Sequence, residues 1–567
     1  MRGAWVLFVV ATVLIAPSCD KIGVTHYYRQ GIIASVSPTA SEVGKQVLLK
    51  GGNAFDAAVA VGFALAVTYP PAGNIGGGGF AVLRHGPSGE ISALDFRETA
   101  PEAASSHMYL DSAGQVIENL STRGALAVGV PGTVAGLHAL WERYGSRPWS
   151  ELVTVAARLA DSGFTVDRHL AETFAEYTGS LSEFEETRRV FSPNGTLPQE
   201  GERLVQPDLA RTLYAIAADG PVGFYTGATA DNIVACMVKY GGLITHADLS
   251  GYRPLWREPL HYTFDSLDIY GMPPPSSGGV LIGQILKLLE PYEMESMTPQ
   301  SPEFMHLFCE ASRLAFADRS EHLGDPDFYD VPTKLLDPRY LAERRKLISL
   351  EHAGNSAEVK PGNPRKYESD ATTHISICDQ AGNMVAMTVT LNESFGGGLT
   401  VGGAGFLLND EMDDFAISPG YANTWGLVGS EANCVEPGKR MLSSMSPTLV
   451  LKGGQPFLIL GSAGGSKIIT TVVQTIINMT RFGMTPDAAV AAPRFHHQWL
   501  PDSLYLEENR FDQATIRRLT AYGHQVRERT PYGDLELIQV VSTGMMTGAG
   551  EPRRNGSIAG CNAPIVN

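Results

Sequence analysis

Hydrophobic and polar positions alternate with period two through Thr372–Asn392, TTHISICDQAGNMVAMTVTLN, broken once by turn residues at Asp379–Asn383. This pattern predicts a β-hairpin. With the turn centred on Ala381, Thr373 faces Val389, Ile375 faces Met387 and Ile377 faces Val385, giving one apolar face. On the other face Thr372 lies opposite Thr390 and His374 opposite Thr388. A one-residue slip would mix the two faces, so the register is well specified. Opposed Cβ atoms sit about 5 Å apart, which sets a second hydroxyl beside Thr372 at the start of a strand.

A second hairpin is predicted from Thr448–Lys452, Gly453-Gly454 and Pro456–Leu460, running into Gly461-Ser462-Ala463-Gly464-Gly465 and an apolar helical pattern from Ser466. Glycines just before a helix expose backbone N–H groups toward developing negative charge. The plainer reading is a glycine turn with Ser466 as N-cap. A phosphate loop fits less well, because the G-K-[ST] ending is absent. Gly76–Gly79 reads as close backbone packing. Helical patterns occupy Glu42–Lys50 and Pro302–Arg319, and Ala54–Thr68, which carries Asp56, reads as a buried helix. His352–Ala371 is a polar stretch of 20 residues with two prolines, a loop that gives the segment before Thr372 freedom.

The chain begins with Met1-Arg2-Gly3 and an apolar run, Ala4–Ala16, of 13 residues. A spanning helix needs about 20, so the run reads as a signal h-region, residues 1–18, cut before Cys19. Lipid modification of Cys19 is the alternative, although Ala16-Pro17-Ser18 is a poor lipobox. The net charge of −17 argues against nucleic acid. Over 567 residues, a 44% hydrophobic content excludes wholesale disorder. The six cysteines are scattered without a C-x-x-C pair and read as isolated thiols.

A threonine hydroxyl needs an adjacent base to act as a nucleophile. At a chain terminus its own α-amine, with pKa near 8, can take the proton. Thr372 is internal as encoded, so this chemistry requires a cut between Ala371 and Thr372. The hydroxyl can make that cut itself by attacking the Ala371 carbonyl, forming an ester that water hydrolyses. The competing reading of the hairpin is an ordinary half-buried strand.

The segments GGNAFDAAVAVGFALAVTYPPAGNIGGGGF, LDFRETAPEAA, MPPPSSGG, TTHIS, NDEMDDF, KRMLSSMSPT, GSAGGSKIITT and APRFHHQWLPD follow one another from about residue 31 onward. In this order they resemble the γ-glutamyltransferases (γ-glutamyl transpeptidases, glutathione hydrolases), autoprocessed N-terminal-nucleophile enzymes. The resemblance implies an α+β fold, an αββα sandwich formed jointly by a large chain, 19–371, and a small chain, 372–567. It implies Thr372 as nucleophile, Thr390 as the neighbouring hydroxyl, and Gly464 and Gly465 as the oxyanion-hole pair. Arg97 matches the arginine that holds the substrate α-carboxylate. Asn392, Glu411, Asp414, Ser443 and Ser444 match the polar shell around the glutamyl head group, with Asp414 the partner of the substrate ammonium.

Taken singly, Arg97 reads as a surface ion pair, and Glu411, Asp413 and Asp414 as a solvated acidic turn or a hard-cation site. Ser443-Ser444 reads as a turn. His496-His497 invites a metal reading, but adjacent strand residues point to opposite faces. His374 shares the polar face with Thr372 and reads as structural. Two departures from the family pattern stand out: Trp425 occupies a lid position where many bacterial members have tyrosine, and Lys467 a position where arginine is common.

The resemblance implies cleavage of the γ-glutamyl bond of glutathione and related compounds, with transfer to water, amino acids or peptides. It calls for no metal and no organic cofactor. The expected partners are γ-glutamyl compounds and amine acceptors, with the two chains forming a heterodimer. A membrane enters only through lipidated Cys19, and the expected location is periplasmic, secreted or lipid-anchored. The rivals are an acylase of the same fold acting on glutaryl-cephalosporins or poly-γ-glutamate, and a catalytically silent surface-binding homologue.

Overall fold

The computed structural model describes residues 26–360, 373–418, 431–541 and 543–562. The first half of the chain supplies strands β1 (Gly31–Ser35), β2 (Gly78–Arg84), β3 (Ile91–Phe96), β4 (Leu255–Arg257), β5 (Leu260–Phe264) and β6 (Leu267–Gly271). Later come β7 (Thr373–Asp379), β8 (Met384–Thr390), β9 (Thr448–Lys452) and β10 (Gln455–Gly461). The last three are β11 (Glu536–Val540), β12 (Met546–Ala549) and β13 (Ser557–Cys561). One antiparallel sheet has the order β13-β1-β7-β8-β2-β3-β4 and a second the order β12-β11-β10-β9-β6-β5.

The sheets face each other across an apolar layer that includes Ile32, Phe80, Met384, Leu449, Ile459 and Ile538. Helices α1 (Pro38–Leu49), α2 (Ala54–Thr68) and α3 (Thr133–Tyr144) cover the outer face of the first sheet. The second is covered by α4 (Gly278–Leu289), α5 (Pro302–His322) and α6 (Lys467–Thr480). The result is the αββα sandwich that the family resemblance implies. Among the described residues, no helix is long and apolar enough to cross a membrane. Cys236, Cys309, Cys378 and Cys561 are free thiols.

Every residue of α2 is buried, as expected of a helix that is apolar on all sides. Its one charge, Asp56, is absorbed by capping: the carboxylate accepts the Asn53 N–H at 2.9 Å and the Ser146 N–H at 2.8 Å.

The first hairpin has the expected register, with Thr373 opposite Val389, His374 opposite Thr388 and Ile375 opposite Met387. Both of its faces are buried. Ile375, Ile377, Val385 and Met387 join the helix-side core. The face that reads as polar packs against the other sheet, where Ser376 Oγ donates to Glu536 O at 3.0 Å. The second hairpin, β9–β10, also forms, with a register shift at Val450–Leu451.

The polar stretch before Thr372 is held more firmly than its composition suggests, at least over its described part, 352–360. Trp499 Nε1 donates to Ser356 O and Val359 O, each at 2.9 Å. Asp502 accepts the Ser356 N–H at 2.8 Å, and the Ala353 N–H reaches Tyr522 O at 2.6 Å. Composition alone missed this because the partners lie about 150 residues downstream.

Candidate active site

The glycine run brings β2 hard against the end of the hairpin. Gly78 pairs with Thr390, and a Cβ on Gly77 would sit 2.0 Å from Thr390 O. Asn74 reinforces the approach: its Nδ2 donates to Thr390 O at 2.6 Å and its Oδ1 accepts the Gly77 N–H at 2.8 Å. Thr390 Oγ1 accepts the Asn392 N–H at 2.8 Å. Asn392 takes a left-handed conformation, φ 73°, which asparagine tolerates better than most residues, and its Nδ2 donates to Asp410 O at 3.0 Å.

Arg97 follows the end of β3 and is buried, so the surface ion-pair reading fails. Its Nη1 pairs with Glu411 and lies 3.6 Å from Glu98, and its Nη2 pairs with Asp414. Its Nε donates to Met441 O at 3.3 Å. Glu411–Asp414 form one turn of 3-10 helix, also buried, so the solvated acidic turn fails too. Burial works against the Arg97 charge, but Glu411, Asp414 and Glu98 outweigh it and hold the guanidinium above its ordinary pKa. Burial pushes the Glu411 carboxyl up, while Arg97 and a hydrogen bond with Thr390 oppose that. Burial and then the Glu411 charge raise Glu98 further, with Arg97 opposing. Three carboxyls therefore surround one guanidinium; burial drives Glu98 toward its neutral form, and Glu411 and Asp414 are the carboxyls paired directly with Arg97.

Asparagines hold this cluster in place. Asn433 Nδ2 donates to Asp414 O at 2.6 Å and its Oδ1 accepts the Leu442 N–H at 3.0 Å. Asn409 Oδ1 accepts the N–H groups of Glu411, at 3.1 Å, and Gly129, at 2.8 Å. Ser443 and Ser444 occupy a buried extended segment beside Ser276-Ser277. Ser443 O accepts the Ser277 N–H at 2.7 Å, and Ser444 Oγ accepts from Arg319 Nη2 at 2.7 Å. Arg319 also donates from Nε to Ser277 Oγ at 2.8 Å. Sequence reading missed Glu98, Ser277, Arg319, Asn409 and Asn433. Glu98, Ser277 and Asn409 sat in motifs already singled out, whereas Arg319 carries no local signal.

Gly464 and Gly465 have φ of 117° and 72°, and α6 begins two residues later. A Cβ on Gly464 would lie 3.1 Å from Gly533 Cα. The loop is tied to its neighbour by Ala463 N–H to Asp534 O, 3.0 Å, and Asp534 N–H to Ala463 O, 3.2 Å. Ser466 does not cap the helix: its Oγ donates to Gln498 Oε1 at 2.5 Å.

His374 is buried, with Nδ1 2.9 Å from Thr388 Oγ1 and Nε2 3.2 Å from Ser376 Oγ. Desolvation pulls its pKa down to about 3, which supports the structural reading. His496 and His497 diverge as expected, toward Thr470 Oγ1 at 2.8 Å and Asp502 Oδ1 at 3.1 Å. Elsewhere, His306, Glu310 and His524 bring metal-capable atoms within 4.8 Å of one another. The two imidazoles hold each other at 2.9 Å, and Glu310 accepts from Arg313 at 3.2 Å and from the Gly354 N–H at 3.0 Å. Ala371, Thr372 and Trp425 lie outside the described residues, as do the signal segment and Cys19.

Residues 40–561 match the family model described as gamma-glutamyltranspeptidase. The glutathione hydrolase proenzyme of Escherichia coli strain K12 is 45% identical over 527 residues, covering 93% of this chain and 90% of that protein. Among solved structures, the cephalosporin acylase from Bacillus halodurans superposes with a TM-score of 0.85 at 27% identity, covering 98% of this chain and all of that one. The gamma-glutamyltranspeptidase of Helicobacter pylori matches at 44% identity and a TM-score of 0.57, over 57% of this chain and 94% of its own. With the family model and a relative this similar both spanning nearly the whole sequence, the chain belongs to the gamma-glutamyltranspeptidase family.

Proposed function

We propose that this chain is an autoprocessed γ-glutamyl acyltransferase and hydrolase, with Thr372 as its nucleophile. The observation that carries the reading is the buried Arg97, Glu411 and Asp414 cluster at the nucleophile end of the hairpin, linked to Thr390 through Glu411. A γ-glutamyl head group carries an α-carboxylate and an α-ammonium. The carboxylate takes the Arg97 fork, and the ammonium takes Asp414 and Glu411, each replacing a contact that the pair now makes with itself.

The period-two pattern of the sequence calls for Thr372 opposite Thr390, and the structure holds Thr390 through Asn74 and Asn392. Cleavage after Ala371 frees the Thr372 amine, giving chains 19–371 and 372–567 once a signal of residues 1–18 is removed. The Helicobacter pylori match, which uses almost all of that polypeptide against little over half of this one, supports two separate chains. The Thr372 amine accepts the hydroxyl proton as Oγ attacks the γ-carbonyl. The N–H groups of Gly464 and Gly465 take the developing oxyanion. Collapse breaks the γ-glutamyl amide, and the proton passes to the departing amine. Water or an acceptor amine then attacks the ester and releases Thr372. Glutathione and other γ-glutamyl compounds are the donors, and the expected location is periplasmic, secreted or lipid-anchored through Cys19.

The likeness to a cephalosporin acylase favours a second reading, hydrolysis of glutaryl amides. Glutaryl groups lack the α-ammonium that the carboxyl-rich cluster suits. The deciding experiment compares γ-glutamyl-p-nitroanilide with glutaryl-p-nitroanilide on the purified protein, alongside a denaturing gel. Turnover of the γ-glutamyl donor by a two-chain protein is expected, and equal turnover of the glutaryl donor would put the acylase reading ahead.

A further inference from the structure

At the end of the sandwich away from Thr390, the two sheets part around a cavity of about 720 Å³. This volume lies within the range of roughly 300–1,000 Å³ that holds small organic ligands. Its walls come from the β7–β8 turn, the start of β10, the end of β11 and the end of β2. It is separate from the Arg97 cluster, because strand β8, seven residues long, runs between them, a rise of roughly 20 Å.

Two cations line the cavity, Arg84 and Lys452. Arg84 is 9% exposed; its Nη1 donates to Gly382 O at 2.8 Å, and its Nε is buried without a partner among the described residues. Nε–H and the neighbouring Nη–H of a guanidinium form a fork that matches a carboxylate, and here Nε–H meets no acceptor among the described residues. Lys452 is exposed, with Nζ 5.5 Å from the centroid of the half-buried Phe457 ring. The lining carboxylate, Asp379, is already engaged by N–H donors from Ala54 and Ala381 at 2.9 Å, and from Asn383 at 3.1 and 2.7 Å. Positive charge is therefore in surplus here, on a protein of net charge −17.

We propose that this cavity binds a small organic carboxylate, its anionic end held by Arg84 and Lys452 and its apolar body against Phe457. The test is calorimetric titration of the purified protein with hippurate and with its uncharged amide, hippuramide. Hippurate binds at one site, and hippuramide binds at least about tenfold more weakly because it lacks the charge that the fork recognises. Arg84→Gln weakens hippurate by a similar factor and leaves the initial transfer rate unchanged. Arg97→Lys leaves hippurate affinity within about twofold, which separates this cavity from the carboxylate site of the proposed function. No binding at roughly 10 mM hippurate, equal affinity for the amide, or loss of binding in Arg97→Lys with retention in Arg84→Gln overturns the proposal. If Arg84→Gln does not fold, the exposed Lys452→Gln decides: a several-fold loss of affinity sustains the site and an unchanged affinity overturns it.

Discussion

Arg97 and Asp414, 317 positions apart in sequence, form an ion pair with side chains 1% and 3% exposed. A pair taken this far from water stabilises the fold only while both partners remain, because removing one leaves an uncompensated buried charge. In the proposed function these are also the two groups that meet the charged ends of a γ-glutamyl substrate.

Arg97→Lys keeps the charge and loses the fork. The expected outcome is a 10- to 100-fold fall in kcat/KM for γ-glutamyl donors, about 1.5–3 kcal/mol for a lost charged hydrogen bond, expressed mainly in KM. Processing should remain near parental. Steady-state kinetics with a gel of the same preparation checks both halves.

Thr372→Ala should accumulate as one uncut chain without transferase activity, since the proposed mechanism gives both steps to one hydroxyl. Thr372→Ser should be cut and retain part of the activity. N-terminal sequencing decides the matter: a fragment beginning at residue 372 in the alanine variant would sink the autoprocessing mechanism.

Gly464→Ala places a Cβ at φ 117° and 3.1 Å from Gly533 Cα. The folded protein should lose about 1–2 kcal/mol from the left-handed strain, and kcat should fall at least about 100-fold if its N–H moves from the proposed oxyanion hole. A thermal melt separates the two effects. A variant with parental kcat would remove Gly464 from the oxyanion hole.

Acid should destabilise the protein through its buried histidines. Desolvation lowers His374 to about 3 and His497 to about 4, against an ordinary value of 6.5. The unfolded chain binds these protons as pH drops below 6.5 and the folded chain does not. Stability is therefore full above pH 6.5 and falls as pH moves toward 4. For His374 alone the loss at pH 5 is about 2 kcal/mol. Guanidinium midpoints of the parent and His374→Asn at pH 7 and pH 5 measure it, and the variant should show the smaller drop.

The same variant tests the base. With the Thr372 amine as base, acylation rises with pH through a pKa near 8, and His374→Asn leaves that limb in place with a rate loss of only a few-fold. Pre-steady-state acylation rates across pH give the answer. Loss of the limb together with about a thousandfold in rate would assign the base to His374 instead.

The strands and the hairpin register were legible because period-two alternation permits one self-consistent pairing, and Thr373 does face Val389. The buried helix Ala54–Thr68 was legible for a similar reason, an apolar run too short to span a membrane. Linear patterning could not reach contacts between distant segments. Arg97 alone looks like a surface arginine, and its burial among Glu98, Glu411 and Asp414 exists only once β3 and the 411–414 turn are packed together. Arg319 gives no local signal, yet it ties Ser277 to Ser444. The stretch at 352–360 reads as free from its composition, but Trp499, Asp502 and Tyr522 fasten it. Local periodicity carries the information for secondary structure, because side-chain direction repeats along the chain. Which charges lose water, and which partners then satisfy them, is decided by packing between elements far apart in the sequence.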